Sequence, residues 1–208
     1  MNKIKINKII IASNNKGKVE EIKKIFNKYE IEILSLGDLN IDIDIEETGQ
    51  TFEENAYIKA KAIYDLVKLP TIADDSGLCV EYLGGRPGVL SARYAGEGAT
   101  DQDRINKLLD EMKDAEKNKR NAKFVSSIVF IINKKQVLKS TGECFGTIAL
   151  EPRGSGGFGY DPIFLINNNK TVAQLSQEEK NKISHRAMAL KNLEKLLEMR
   201  VNIDEYHK

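Results

Sequence analysis

The run from Phe124 to Ile132, FVSSIVFII, constrains the fold of this chain more than any other stretch. It is the longest strand signal in the sequence, rich in β-branched and aromatic residues. Asn133-Lys134-Lys135 supplies a turn, and Gln136 to Ser140 resumes strand character, so the two segments read as a hairpin. A further strand is expected over roughly Thr141 to Leu150. Strands that pair locally here must share a sheet with whatever the first half of the chain provides.

That first half alternates strand and helix. Ile4 to Ala12 is continuous enough in isoleucine to be a central strand. Ser13 to Lys18 is a polar turn, after which Val19, Ile22, Ile25, Phe26 and Tyr29 recur at helical spacing. Ile31 to Leu34 is a second short strand, and Asp38 to Glu47 is acidic and irregular. Thr51 with Glu54 forms a capping box for a helix whose buried face is Phe52, Ala56, Ala60, Ile63 and Val67, ending before Pro70. Thr71 to Ala73 is a short strand that runs into a turn at Asp74-Asp75-Ser76-Gly77. Thr100 and Asp103 open another helix, and the charged run Lys113 to Lys123 reads as a solvated helix end and linker. Arg153 to Asp161 is a glycine-rich loop and Pro162 to Ile166 a short strand. Ser176 with Glu179 caps one helical turn, and Ser184 caps a last helix with the stripe Ala187, Leu190, Leu193 and Leu197. Alternation early and local pairing later predict an α/β protein with a mixed sheet flanked by helices. The length suits a single domain, residues 1–208, of one body or two closely joined lobes.

Lysine plus arginine (32) nearly equals aspartate plus glutamate (31), and the charges are intermixed. No basic face for nucleic acid is predicted, so an anionic ligand must be held by a local cluster. No apolar run approaches a membrane span. The start, MNKIKINKIIIA, has too short an apolar stretch for a signal peptide, which makes cytoplasmic location the expectation. Cys79 and Cys144 lie far apart without a second ligand pattern, and read as small buried residues.

Five stretches carry chemistry-bearing residues. Asp74-Asp75 suits a hard divalent cation such as Mg²⁺, although an acidic turn has the same composition. Glu46-Glu47 is a second acidic pair that could share that metal. Ser13-Asn14-Asn15-Lys16-Gly17-Lys18 precedes a helix and brings two lysines to its N-terminus, where anions are favoured; it is not a Walker A loop. Gly154 to Gly159 formally matches G-x-G-x-x-G, but it precedes a strand instead of opening a helix. It reads better as a loop presenting Phe158 and Tyr160 to a flat ring. Lys180, His185 and Arg186 flank the break between the last two helices. The two at the helix start oppose its dipole, which makes a ligand contact the functional reading and solvent exposure the plain one.

Taken in order, these stretches are distinctive: Ser13 to Lys18, Glu46 to Gly49, Thr51-Phe-Glu-Glu-Asn-Ala56, Ala73-Asp-Asp-Ser-Gly77, Leu83-Gly-Gly-Arg-Pro-Gly88, Ser91-Ala-Arg-Tyr94, Gly156-Gly-Phe-Gly-Tyr-Asp-Pro162 and Ser184-His-Arg186. Together, from about Ile9 to Leu197, they resemble the inosine/xanthosine triphosphate pyrophosphatase family. The resemblance implies Mg²⁺-dependent cleavage of ITP, dITP and XTP to the nucleoside monophosphate and pyrophosphate. It also implies a homodimer, and an elongated mixed sheet with a central active-site cleft between two lobes. On matching positions, Ser13, Asn14, Asn15, Lys16, Gly17 and Lys18 hold the triphosphate. Asp75 is the catalytic carboxylate and a metal ligand, and Ser76 contacts substrate. Glu46 or Glu47 is the other ligand. Phe158, Gly159, Tyr160, Asp161, Lys180, His185 and Arg186 receive the base. Where many bacterial members have Thr-Gly-Asn, this chain has Ser13-Asn14-Asn15, which keeps the hydroxyl and the amide.

The residue types fit that chemistry. Mg²⁺ and lysines neutralise charge on a departing pyrophosphate, and a carboxylate beside the metal can orient or deprotonate water. Whether Asp74 or Asp75 is the base is open at this level. Donors from His185 and Arg186 favour a 6-keto purine and oppose the 6-amino group of adenine. Two other readings remain: a pyrophosphatase for pyrimidine or modified nucleotides, and a nucleotide-binding regulator without turnover.

Overall fold

Alternation along the long strand explains why it is apolar throughout. In the computed structural model, which describes residues 6–27, 29, 31–166 and 169–200, β4 runs Asn121–Asn133. Ile128, Phe130 and Ile132 face one core, and Val129 and Ile131 face another. The first strand, β1 (Lys8–Ile11), divides its side chains the same way: Ile9 and Ile11 to the first core, Ile10 to the second. Successive residues of a strand point to opposite faces, so a continuous apolar run requires cover on both.

The cover comes from the helices. α1 (Lys16–Phe26) contributes Val19, Ile22 and Phe26 to the first core, and α5 (His185–Arg200) contributes Ala189, Leu190, Leu193 and Leu197. α2 (Phe52–Val67) closes the second with Ala56, Ala60, Ile63 and Tyr64. The helical periods were readable from sequence, with Ala189 taking the place expected of Ala187. Ile4 and the Ile25 side chain fall outside the described residues.

The sheet has six strands in the order β2-β1-β3-β4-β5-β6, with β2 Glu32–Ser35, β3 Thr71–Val80, β5 Gln136–Ile148 and β6 Phe164–Leu165. β1 pairs in parallel with β2 and β3, and β5 pairs antiparallel with β6, so the sheet is mixed. Three expectations change in detail. Gln136–Ile148 is one strand, not two. Asp161–Ile163 is a 3₁₀ turn, which leaves only Phe164–Leu165 as strand. The acidic turn expected at Asp74-Asp75 is absent, because β3 continues through it to Val80.

The chain divides into two compact units: residues 1–75, 126–142 and 186–208, and residues 76–125 and 143–185. The second unit has its own core, in which Leu78, Val80, Phe124, Tyr160, Ile163 and Phe164 pack with Ile105, Leu108 and Met112 around α3 (Asp101–Glu111). One residue of the charged run departs from the solvated linker expected there. Arg120 is only 4% exposed. Its guanidinium donates to the carbonyls of Ile148 (2.8 Å), Met112 (2.9 Å), Ala149 (3.0 Å) and Ala115 (3.3 Å). A planar fork of five donors can serve several carbonyls where the chain has no regular partner for them. Arg120→Met should strand those oxygens at about 1–3 kcal/mol for each that water cannot reach. Thermal unfolding should then fall by about 5–15 °C, at roughly 2–4 °C per kcal/mol for a chain of this length. A melting point unchanged within error in calorimetry would refute the clamp.

Candidate active site

Adjacent residues in a strand point to opposite faces, and in β3 this separates two aspartates. Ile72 lies in the core covered by α1 and α5, and Ala73 in the core covered by α2. Asp74 therefore turns to the first face and Asp75 to the second. Each finds cations there.

Asp74 is 2% exposed. Its Oδ2 lies 2.7 Å from Lys18 Nζ on α1 and 3.4 Å from Arg186 Nη2 on α5, and Oδ1 accepts from the Ser126 hydroxyl on β4. Arg186 Nη1 also contacts Glu21 on α1 at 2.6 Å. Burial pushes the Asp74 carboxyl up, but Arg186 and Lys18 more than reverse this and hold it well below the usual carboxylate range. Asp74 is thus a fixed anion tying two helices to the sheet.

On the other face, Lys59 Nζ lies 2.8 Å from Asp75 Oδ1 and 2.9 Å from Glu47 Oε1. Burial pushes the Asp75 carboxyl up, and Lys59 offsets only part of that. Burial works to lower the Lys59 ammonium, but Asp75 and Glu47 outweigh it and keep the group protonated. The loop that brings Glu47 here is fastened to α2. Gly49 N–H donates to Asn55 Oδ1 (2.8 Å), and Gln50 N–H donates to Glu54 (2.7 Å) beside the Thr51 capping box. A Cβ on Gly49 would meet Asn55 Oδ1 at 2.6 Å, so glycine alone lets the loop lie against the helix. Asn55 and Lys59 are i,i+4 neighbours on one face of α2: one holds the loop backbone and the other its carboxylate. Of the acidic doublet, Glu47 makes this contact while Glu46 is exposed.

The start of α1 is tighter than the polar loop read from sequence. Asn15 is the N-cap, its Oδ1 accepting from Lys18 N–H (3.1 Å), and Ser13 Oγ accepts from Asn15 N–H (3.2 Å). Lys16, Gly17 and Lys18 form the first helical turn, with no acidic residue there and Asn14 and Lys16 exposed. Cations at a helix N-terminus oppose the dipole, so this turn suits an anion from solvent.

The remaining expected residues belong to the second unit. Asp161 organises them: its Oδ2 accepts from Phe158 N–H (3.0 Å) and from Lys180 Nζ (2.6 Å). Gly157, at φ +78°, leaves no room for a Cβ beside that carboxylate. Gly159 N–H donates to Asp101 Oδ2 (2.6 Å) at the start of α3. With the Phe158 and Gly159 amides engaged by carboxylates, this loop is no phosphate cradle. What it offers is the exposed Phe158 ring, with Lys180 Nζ 4.6 Å from its centroid. Tyr160, expected beside it, is buried and donates its hydroxyl to Ser91 O (3.0 Å). His185 is half-buried, its ring stacked on Phe124 at 5.0 Å. Ser76 is half-buried on β3. Arg186 departs most from expectation, since its guanidinium engages Asp74 and Glu21 in the first unit.

Lys59 and Asp101 were missed in the sequence. Lysine is common on helix surfaces, and the signal for Lys59 was its spacing of four from Asn55. Among the described residues, no group of three or more His, Cys, Asp or Glu gathers for a metal. Mg²⁺ needs no such cage, because one or two carboxylates and substrate phosphates suffice. The Lys59 ammonium standing between Glu47 and Asp75 shows that their oxygens accommodate a cation. No helix among the described residues is long and apolar enough to cross a membrane.

Known proteins resemble this chain over most of its length. A family model described as the Ham1 family matches residues 9–196. The dITP/XTP pyrophosphatase of Bacillus subtilis is 52% identical over 190 residues, covering 91% of this chain and 96% of that protein. The Escherichia coli dITP/XTP pyrophosphatase is 47% identical over 89% of this chain and 95% of its own length. The solved Staphylococcus aureus Ham1 protein superposes with a TM-score of 0.85 at 43% identity, covering 93% of this chain and 99% of that one. With nearly its whole length matched in sequence and fold, the chain belongs to the Ham1 family.

Proposed function

We propose that this chain is an Mg²⁺-dependent nucleoside-triphosphate pyrophosphatase that hydrolyses ITP, dITP and XTP to the monophosphate and pyrophosphate. The observation that carries it is the convergence of two carboxylates, Glu47 and Asp75, on one ammonium inside the first unit. The activity for which the relatives are named, dITP/XTP pyrophosphatase, supplies the substrate class.

Glu47 and Asp75 would hold Mg²⁺, which offsets phosphate charge and lowers the pKa of a bound water. Asp75 is the carboxylate we assign to take the proton of the water that attacks the α-phosphorus. The bond from the α-phosphorus to the bridging oxygen breaks, and pyrophosphate departs with that oxygen. Asp74, held ionised by Lys18 and Arg186, is a poor proton acceptor and instead orients those cations. Lys16, Lys18 and the first amides of α1 take the phosphates.

Phe158 would stack on the purine while Lys180 and His185 would supply donors to a 6-keto oxygen. Adenine would turn its amino donor toward them, at about 1–3 kcal/mol per unsatisfied group. Arg186 acts through Asp74 and Glu21.

Three outcomes test this reading. Incubation with ITP and Mg²⁺ should yield IMP and pyrophosphate, with ATP, dUTP and dTTP turned over far more slowly; stepwise release of orthophosphate would refute it. Asp75→Asn should lower kcat by about 10²–10⁴-fold, the range of a lost general base, while ITP still binds in calorimetry. Asp74→Asn should act on stability, since uncoupling a buried ion pair costs about 3–5 kcal/mol. The folded Asp74 carboxyl titrates below the unfolded value of about 3.9, so its stabilisation is complete above that pH and fades only as acid approaches the lower folded value. Urea melts at pH 7 should therefore separate Asp74→Asn from wild type, and an equal midpoint would remove the pair from the fold's foundations.

A further inference from the structure

Lys59 occupies a position that a metal enzyme would ordinarily keep open. Its ammonium is hydrogen-bonded to one oxygen of Glu47 (2.9 Å) and one of Asp75 (2.8 Å), and its side chain is only 13% exposed. An ammonium and a divalent ion bound to the same oxygens compete for the same lone pairs and the same space. Mg–O bonds of about 2.0–2.1 Å would draw the carboxylates in where N–H···O bonds now hold them off. Two cations side by side in a partly buried site also repel each other strongly. The carboxylates cannot move away, because Asp75 sits in the sheet and Glu47 on a loop fastened by Gly49 to Asn55 and by Gln50 to Glu54. The mobile party is the lysine, with four rotatable bonds and a point charge that can take new oxygen partners.

Resting on the assignment of Glu47 and Asp75 as metal ligands, we infer that Lys59 is a built-in counter-ion that fills the metal position until nucleotide arrives. When a triphosphate binds, its oxygens offer the ammonium a new partner, Lys59 moves to them, and it no longer competes with the metal for the carboxylate oxygens. Metal and nucleotide binding are thereby coupled through one side chain. The nucleotide-free enzyme binds metal weakly, and a metal–nucleotide complex is the form it receives. The coupling is reciprocal, as any linkage between two binding events must be.

The test measures Mn²⁺ binding, not turnover. Free Mn²⁺ is followed by electron paramagnetic resonance with wild type, Lys59→Met, Lys59→Arg and Glu47→Gln, each with and without the α,β-methylene analogue of ITP. Lys59→Met should bind Mn²⁺ at least about tenfold more tightly than wild type without nucleotide, or about 1.4 kcal/mol. With the analogue present the gap should narrow, since the ammonium has already left in wild type. Lys59→Arg keeps a cation and should not tighten Mn²⁺. If Lys59→Met does not fold, Lys59→Gln carries the same expectation. Mn²⁺ affinity of the neutral variant equal to or weaker than wild type, alongside weakened binding in Glu47→Gln, would overturn the counter-ion and leave the metal site standing. Unchanged binding in Glu47→Gln would overturn the metal site itself, and the inference with it.

Discussion

Two charged residues in the middle of a buried strand are the constraint on which the rest of the first unit depends. An unpaired buried carboxylate is costly enough that a protein must neutralise it or supply cations. The pleat sends Asp74 and Asp75 to opposite faces, so each face needs its own supply. Lys18 from α1 and Arg186 from α5 serve one; Lys59 from α2 serves the other. Three helices are thus pinned to one dipeptide.

Much of this was legible. Helical spacing revealed α1, α2 and α5, the capping boxes fixed the starts of α2 and α4 (Gln177–Ile183), and the apolar continuity of β1 and β4 implied a covered sheet. What could not be read was long-range. Aspartate is depleted in strands, so Asp74-Asp75 looked like a turn. The partners that make a strand tolerable there include Arg186, 112 residues away in sequence. Arg120 fails for the same reason: four backbone carbonyls are its partners, and no sequence pattern marks a carbonyl that lacks a ladder. Lys59 and Asp101 look like ordinary helix-surface charges until the loops they meet are in place.

The glycine-rich loop shows why a motif needs its donors counted. Six residues spelling G-x-G-x-x-G suggest free amides for a phosphate. In the folded loop, Asp161 takes the amide of Phe158 and Asp101 that of Gly159. Gly154, Gly156 and Gly157 serve close packing, Gly159 a backbone turn at positive φ, and the loop's product is an exposed aromatic face beside an ammonium. Carboxylates inside the second unit occupy the amides that an anion would need.

Charge within the first unit's cluster bears on what a divalent ion would contribute under the proposed mechanism. Glu21, Glu47, Asp74 and Asp75 face Lys18, Lys59 and Arg186, so among these paired residues the carboxylates outnumber the cations by one. Such a cluster is well arranged for stability and poorly arranged to attract a triphosphate carrying several negative charges. Lys16 and the N-terminus of α1 add attraction, but a helix end and one exposed lysine contribute only modestly against that load. A divalent ion arriving with the substrate would reverse the sign of the imbalance, and the triphosphate would offer Lys59 oxygens in place of the carboxylates it leaves. The same pairs that keep the strand folded would then be what makes the site inert until the right complex enters.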